Sequence, residues 1–66
     1  MKVDVHKLEV ELAKNGYTYS GFAEKAGLSV NGFMLIRQRG EATPRNVGRI
    51  ADALGVPVEK IVENEV

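Results

Sequence analysis

The chain has no cysteine, no tryptophan, a single histidine and no net charge in 66 residues. Without cysteine there is neither a disulfide framework nor a thiolate metal site, so stability has to come from packing, and a reducing compartment is allowed. His6 is the one imidazole, and no glycine-rich phosphate loop follows a strand pattern, so the parts of a nucleophilic or metal-assisted active site are missing. The carboxylates are spread as helix-surface charges, as in the i,i+4 pair of Lys7 and Glu11, instead of gathering into an acid–base or metal cluster. An enzyme is therefore not expected, nor is a cofactor or a metal. The sequence also lacks an apolar run of about 18 residues and a basic-then-apolar leader. A cytoplasmic protein with no membrane partner is the expectation.

What is present suits a small folded domain. A content of 44% hydrophobic and 27% charged residues separates the chain from disordered sequences, and its length gives one domain, residues 1–66, whose core must draw on most of the apolar side chains. The zero net charge conceals a gradient. Residues 1–28 balance four lysines against four carboxylates, residues 29–54 set four arginines against Glu41 and Asp52, and the last twelve residues are acidic. Every arginine falls between positions 37 and 49.

Apolar spacing divides the chain into helices. Val5, Leu8 and Leu12 lie at i, i+3 and i+7 in a first helix from Asp4 to Asn15, stopped by Asn15 and Gly16. Thr18 is the expected N-cap of a second, with Phe22, Ala23 and Ala26 inward and Glu24 and Lys25 outward. Gly27 ends it, Leu28 is an apolar plug, and Ser29 caps a third helix from about Val30 to Gln38. Phe33 and Ile36 point inward there, leaving Asn31, Met34, Leu35 and Gln38 outward and Val30 at the margin. Gly40 closes that helix. Thr43 and Pro44 open a fourth, where a missing N–H is harmless, and Val47, Ile50, Ala51 and Leu54 give it the cleanest amphipathic pattern in the chain. A last short helix from about Pro57 to Val62 would bring Ile61, with Val58 and Val62, against the core before an acidic tail at 63–66. Gly16, Gly27, Gly40 and Gly55 all fall at helix ends. Gly21, Gly32 and Gly48 fall inside helices, where each costs roughly 1 kcal/mol relative to alanine; close approach of a partner backbone, a tight helix contact or simple tolerance are the readings open for Gly32.

Two short helices joined through a left-handed glycine and a fresh N-cap are the sequence form of a helix-turn-helix, here about 18–39. Thr18, Phe22, Ala23, Glu24, Lys25, Gly27, Leu28, Ser29, Phe33, Ile36, Gly40, Pro44, Ile50, Ala51, Ala53, Leu54, Gly55 and Val56 together resemble the DNA-binding domain of the Cro and phage-repressor family, the XRE-like helix-turn-helix proteins. The likeness covers about residues 8 to 62. It implies an all-α, compact bundle of about five short helices, a lambda-repressor-like domain that binds double-stranded DNA as a transcriptional regulator, as a homodimer on paired half-sites.

By that resemblance, bases are read from Ser29, Val30, Asn31 and Leu35, and phosphates are held by Thr18, Tyr19 and Arg45. The residue chemistry agrees in part: Asn31 suits bidentate pairing with adenine, Val30 and Leu35 suit thymine methyls, and Gln38 is a further polar candidate. The free N–H groups at the start of the second helix give Thr18 and Tyr19 a physical basis as phosphate neighbours. Arg39, expected in the loop after the third helix, adds a guanidinium within reach of a phosphate. Thr18 and Ser29 also have the plainer role of caps, and Tyr17 and Tyr19 that of covers at the core edge.

The chain departs from the family at several points. Many relatives have glutamine where Tyr19 stands, polar or basic residues at Val30 and Leu35, and a basic residue at Glu41. They also pair an arginine of helix one with a glutamate late in helix three; the matching positions are Leu12 and Arg37, so both partners are expected to be gone. The stretch from Ile36 to Gly40 reads as a loop one residue longer than usual. An outward Val30, Met34 and Leu35 supports a rival reading, a small regulator that binds a repressor-type protein partner through this face. Val58, Ile61 and Val62 form a second candidate protein interface.

Overall fold

The computed structural model describes residues 1–63. Within them the chain forms α1 (Val5–Asn15), α2 (Tyr19–Lys25), α3 (Val30–Arg39) and α4 (Pro44–Leu54), followed by a 3₁₀ turn at Val58–Lys60. The architecture is all-α. Its Cα radius of gyration, 10.5 Å, is that of a folded chain of this size, for which about 11 Å is expected.

Local chemistry sets the helix ends. Asp4, Thr18, Ser29 and Thr43 each hold extended backbone and accept, through a side-chain oxygen, from the N–H three residues on, which satisfies one free donor of each first turn. Gly16, Gly27, Gly40 and Gly55 take φ between 67° and 74°, the left-handed region in which a side chain would be strained. The fifth expected helix is reduced to one 3₁₀ turn. Pro57 precedes it with no side-chain cap, and its exit is diverted, because Val62 pairs with Val3 in an isolated bridge.

That bridge belongs to an arrangement the helical pattern does not reveal. Residues 1–4 run extended between two other segments: Val3 N–H donates to Gly40 O at 2.9 Å and Ala42 N–H to Met1 O at 3.0 Å on one side. On the other side Asp4 N–H donates to Ile61 O at 2.8 Å and Glu63 N–H to Lys2 O at 3.2 Å. These bonds pair backbone groups of all three segments, and Val3 is carried into the core.

The core comprises Val3, Leu8, Leu12, Phe22, Ala23, Ala26, Phe33, Ile36, Val47, Ile50, Ala51 and Ile61. Phe22, Phe33, Leu8, Ile50, Ile61 and Val47 are its largest fully buried side chains, each worth about 1.5–3 kcal/mol when removed from water. Val5, expected inward, is only half-buried. Ile61, expected at a protein interface, is a core residue with no exposed surface, while Val58 and Val62 pack half-buried against that core. This bears out the expected place of Ile61 against the core and removes that one side chain from the C-terminal interface.

The four aromatic residues form one row. Tyr17 and Phe22 have ring centroids 5.3 Å apart, Phe22 and Phe33 5.3 Å, and Phe33 and Tyr19 6.4 Å, all tilted by 53–57°. Such tilted contacts set ring edges against ring faces. A cation closes each end, with Lys25 Nζ 5.1 Å from the Tyr17 centroid and the Arg37 guanidinium 4.0 Å from that of Tyr19. The row crosses from α2 to α3 and fixes one helix on the other.

Candidate nucleic-acid interface

α3 is braced from behind by Phe33 and Ile36, both buried. Its opposite side is uncovered: Val30 is 45% exposed and Leu35 44%, and Asn31 and Gln38 are exposed with them. Met34, expected in the same patch, is half-buried, and its sulfur lies 3.9 Å from Arg37 Nη1. Up to Arg39 at its last position, the exposed surface of α3 is therefore two apolar side chains and two amides.

The entry to α3 is held at three points. Ser29 Oγ accepts from Gly32 N–H at 3.0 Å, and Leu28 N–H donates to Ala23 O at 2.9 Å across the end of α2. From α4, Arg49 Nη1 donates to Gly27 O at 3.2 Å. Thr18 repeats the capping geometry at α2, accepting from Gly21 N–H at 3.1 Å. Both caps crowd an interior glycine, since a Cβ on Gly21 or Gly32 would lie 2.9 Å from the Thr18 or Ser29 hydroxyl and the cap would have to shift, as those at Asp4 and Thr43 accommodate Lys7 and Asn46. For Gly32 the nearest neighbour within the domain is its own cap.

Beside α3 lies a charged cluster that sequence spacing does not bring together. Arg37 donates from Nε to Glu9 Oε1 at 2.8 Å and from Nη2 to the same oxygen, and Nη2 also donates to the Tyr19 hydroxyl at 3.0 Å. Tyr19 in turn donates to the Glu9 carboxylate at 2.9 and 3.1 Å. An α1–α3 ion pair thus exists, with the carboxylate on α1 and the cation on α3. It is a different pair from the one whose partners are missing at Leu12 and Arg37: Leu12 is a core residue, and Arg37 is itself the cation here, its α1 partner being Glu9, three positions before Leu12 on nearly the same face.

The cluster shifts two titrations. The hydrogen bonds from Arg37 hold the Glu9 carboxyl below its ordinary value of 4.5, against an opposing push from burial and with help from Tyr19. The Tyr19 phenol is raised above 10.0, chiefly because ionisation would end its hydrogen bond to Glu9.

The expected phosphate-binding residues are differently placed. Thr18 is exposed and caps α2; Tyr19 is 38% exposed with its hydroxyl engaged by Glu9 and Arg37. Arg39 is the last residue of α3 and not part of a loop, since the helix continues to Gly40. Arg45 stands exposed in the first turn of α4. Neither arginine forms an ion pair among the described residues. The role of Arg49 at the turn has no signal in the sequence, where it reads as one more basic residue on a wet helix face.

Among the described residues, no group of three or more histidine, cysteine, aspartate or glutamate side chains is placed to hold a metal ion, and no helix is long and apolar enough to cross a membrane. Comparison of the chain with protein-family models, with curated proteins and with solved structures yields no match.

Proposed function

We propose that the chain is a duplex-DNA-binding transcriptional regulator, with α2 and α3 acting as a helix-turn-helix and α3 entering the major groove. The observation that carries this reading is the uncovered face of α3, where Val30, Asn31 and Leu35 stand out from a helix fixed by its buried side. A groove-reading helix needs such a face, with phosphate donors nearby to fix its register. Arg39 at the end of α3 and Arg45 at the start of α4 are the donors; Thr18 caps α2 and borders the same contact. The reading has Ser29 setting the angle of the first turn, Asn31 pairing with a base edge, and Val30 and Leu35 packing on methyl groups. One domain this small touches few bases, so two copies on a paired site are part of the proposal.

The test is binding to a random duplex pool at two salt concentrations, with affinity and enrichment both read out. A regulator of this kind gives a steep salt dependence and an enriched, two-fold symmetric site. Absence of binding by the folded protein at low salt rejects the reading.

The rival has a specific observation behind it, the exposure of Val30 and Leu35, since apolar side chains left in water on one face suit a protein partner. Asp substitution at Leu35 separates the two on a captured repressor-type partner: the complex is lost if this face binds protein and persists if it does not.

A further inference from the structure

We infer that α3 reads A·T base pairs through thymine 5-methyl groups and has no reader for guanine in its groove-facing part. The inference rests on the DNA-binding reading above and names the class of site.

Guanine is read in the major groove by arginine or lysine donating to its O6 and N7, whereas adenine is read by asparagine or glutamine and thymine through its methyl group. From Val30 to Ile36, α3 carries no charged residue. The first cation on the helix is Arg37, and its guanidinium is withdrawn from service as a reader: Glu9 accepts from two of its nitrogens, and the Tyr19 ring stacks on it at 4.0 Å. A guanidinium held in this way has both its fork and its face engaged. Arg39 is uncommitted but is the last residue of the helix, so what α3 offers a base edge before it is Asn31 and Gln38, with Val30 and Leu35 beside them at 45% and 44% exposure.

The occupant follows from charge as well as shape. Arg39, the last residue of α3, and Arg45, in the first turn of α4, are exposed and form no ion pair among the described residues. An apolar and amide surface on α3, with uncommitted guanidinium groups at the end of that helix and the start of the next, suits a groove floor of methyl groups between two rows of phosphates. The Glu9–Arg37 pair accordingly has a second consequence beyond joining α1 to α3, because it subtracts a guanine reader from the helix.

The experiment starts from the duplex selected by the random-pool measurement and replaces thymine with uracil, one position at a time. Each contacted methyl removed should weaken binding about fourfold, the value of one buried methylene-sized group, with the salt slope unchanged because phosphate contacts are untouched. In the Leu35→Ala protein, whose substitution lies on the exposed face, the same uracil substitution should have no effect at the position that Leu35 covers. A site centred on G·C pairs, or affinity indifferent to uracil throughout, overturns the inference and leaves DNA binding standing. No retention of any duplex at low salt overturns both together.

Discussion

Glu9 and Arg37, 28 positions apart, tie α1 to α3 through a carboxylate and a guanidinium that share the hydroxyl of Tyr19. Because the Glu9 carboxyl titrates below its ordinary value in the folded chain, the folded state binds fewer protons than the unfolded one near that value. The contribution is present above pH 4.5 and is lost as pH falls through the lower, folded value. Urea denaturation across the acid range should show this loss in the native chain. Glu9→Gln should flatten it, with a cost of about 0.5–1 kcal/mol at neutral pH. An unchanged acid limb in Glu9→Gln would show that the pair adds nothing to stability.

At the alkaline end the sign reverses. Tyr19 ionises above 10.0 in the folded chain, so its contribution is complete below pH 10.0 and disappears as pH rises through the folded value. Tyr19→Phe should abolish that alkaline component, read as the difference between the two proteins' denaturation midpoints on either side of pH 10.0.

The interior glycines should part company on substitution. A Cβ on Gly48 meets nothing within 4 Å, so Gly48→Ala should stabilise by ~1 kcal/mol and raise the Tm by about 4–8 °C. Gly21→Ala and Gly32→Ala press on the cap hydroxyls and should gain less than Gly48→Ala, since part of the helix-propensity gain goes into shifting the cap. Thermal unfolding of the three variants decides it; equal stabilisation in all three would contradict the crowding at the two caps.

Two apolar residues with interface patterns in the sequence should separate by stability. Ile61→Ala should cost about 2–5 kcal/mol, because it leaves a cavity in the core. Leu35→Ala should stay within about 0.5 kcal/mol of the parent. Chemical denaturation of the two variants reads this directly, and similar costs would place the two side chains in similar surroundings.

The arginines should differ in binding. Arg45→Ala should weaken all duplexes and lower the log–log salt slope by about one, as expected when a single phosphate is no longer neutralised. Arg37→Ala should lower stability and leave the slope in place, since its guanidinium serves Glu9 and Tyr19. Asn31→Ala should relax sequence preference with the slope retained. Equal weakening on specific and random duplexes would take Asn31 out of base readout.

The helix boundaries are legible in the sequence because their signals are local. Ser29 acts on a donor three residues away, and Gly27 adopts its own left-handed turn without reference to the rest of the fold. The face of α3 follows from the same short-range periodicity. Contacts between distant segments are not legible: Val3 is buried because an extended segment lies between Gly40–Ala42 and Ile61–Glu63, which no helical period encodes. Arg49 reaches Gly27 across 22 positions, and on a wheel it looks like any solvated arginine. Met34 looks outward by angle alone and is half-covered, with Arg37 against its sulfur. The residues expected on α2, α3 and α4 lie on those elements, with Arg39 moved from the expected loop into α3, while the interactions that restrain or engage them exist only in three dimensions.

The aromatic row makes the domain its own spectroscopic reporter. Phe22 and Phe33 are fully buried, each between two other rings, so their 180° flips require the packed neighbours to give way and should be slow by NMR. Each ring also sits in the ring current of the next. A ligand that draws Arg37 away from Tyr19 at the surface would therefore register first at Tyr19, then at Phe33, giving a proton-shift signature of binding that needs neither a label nor a tryptophan.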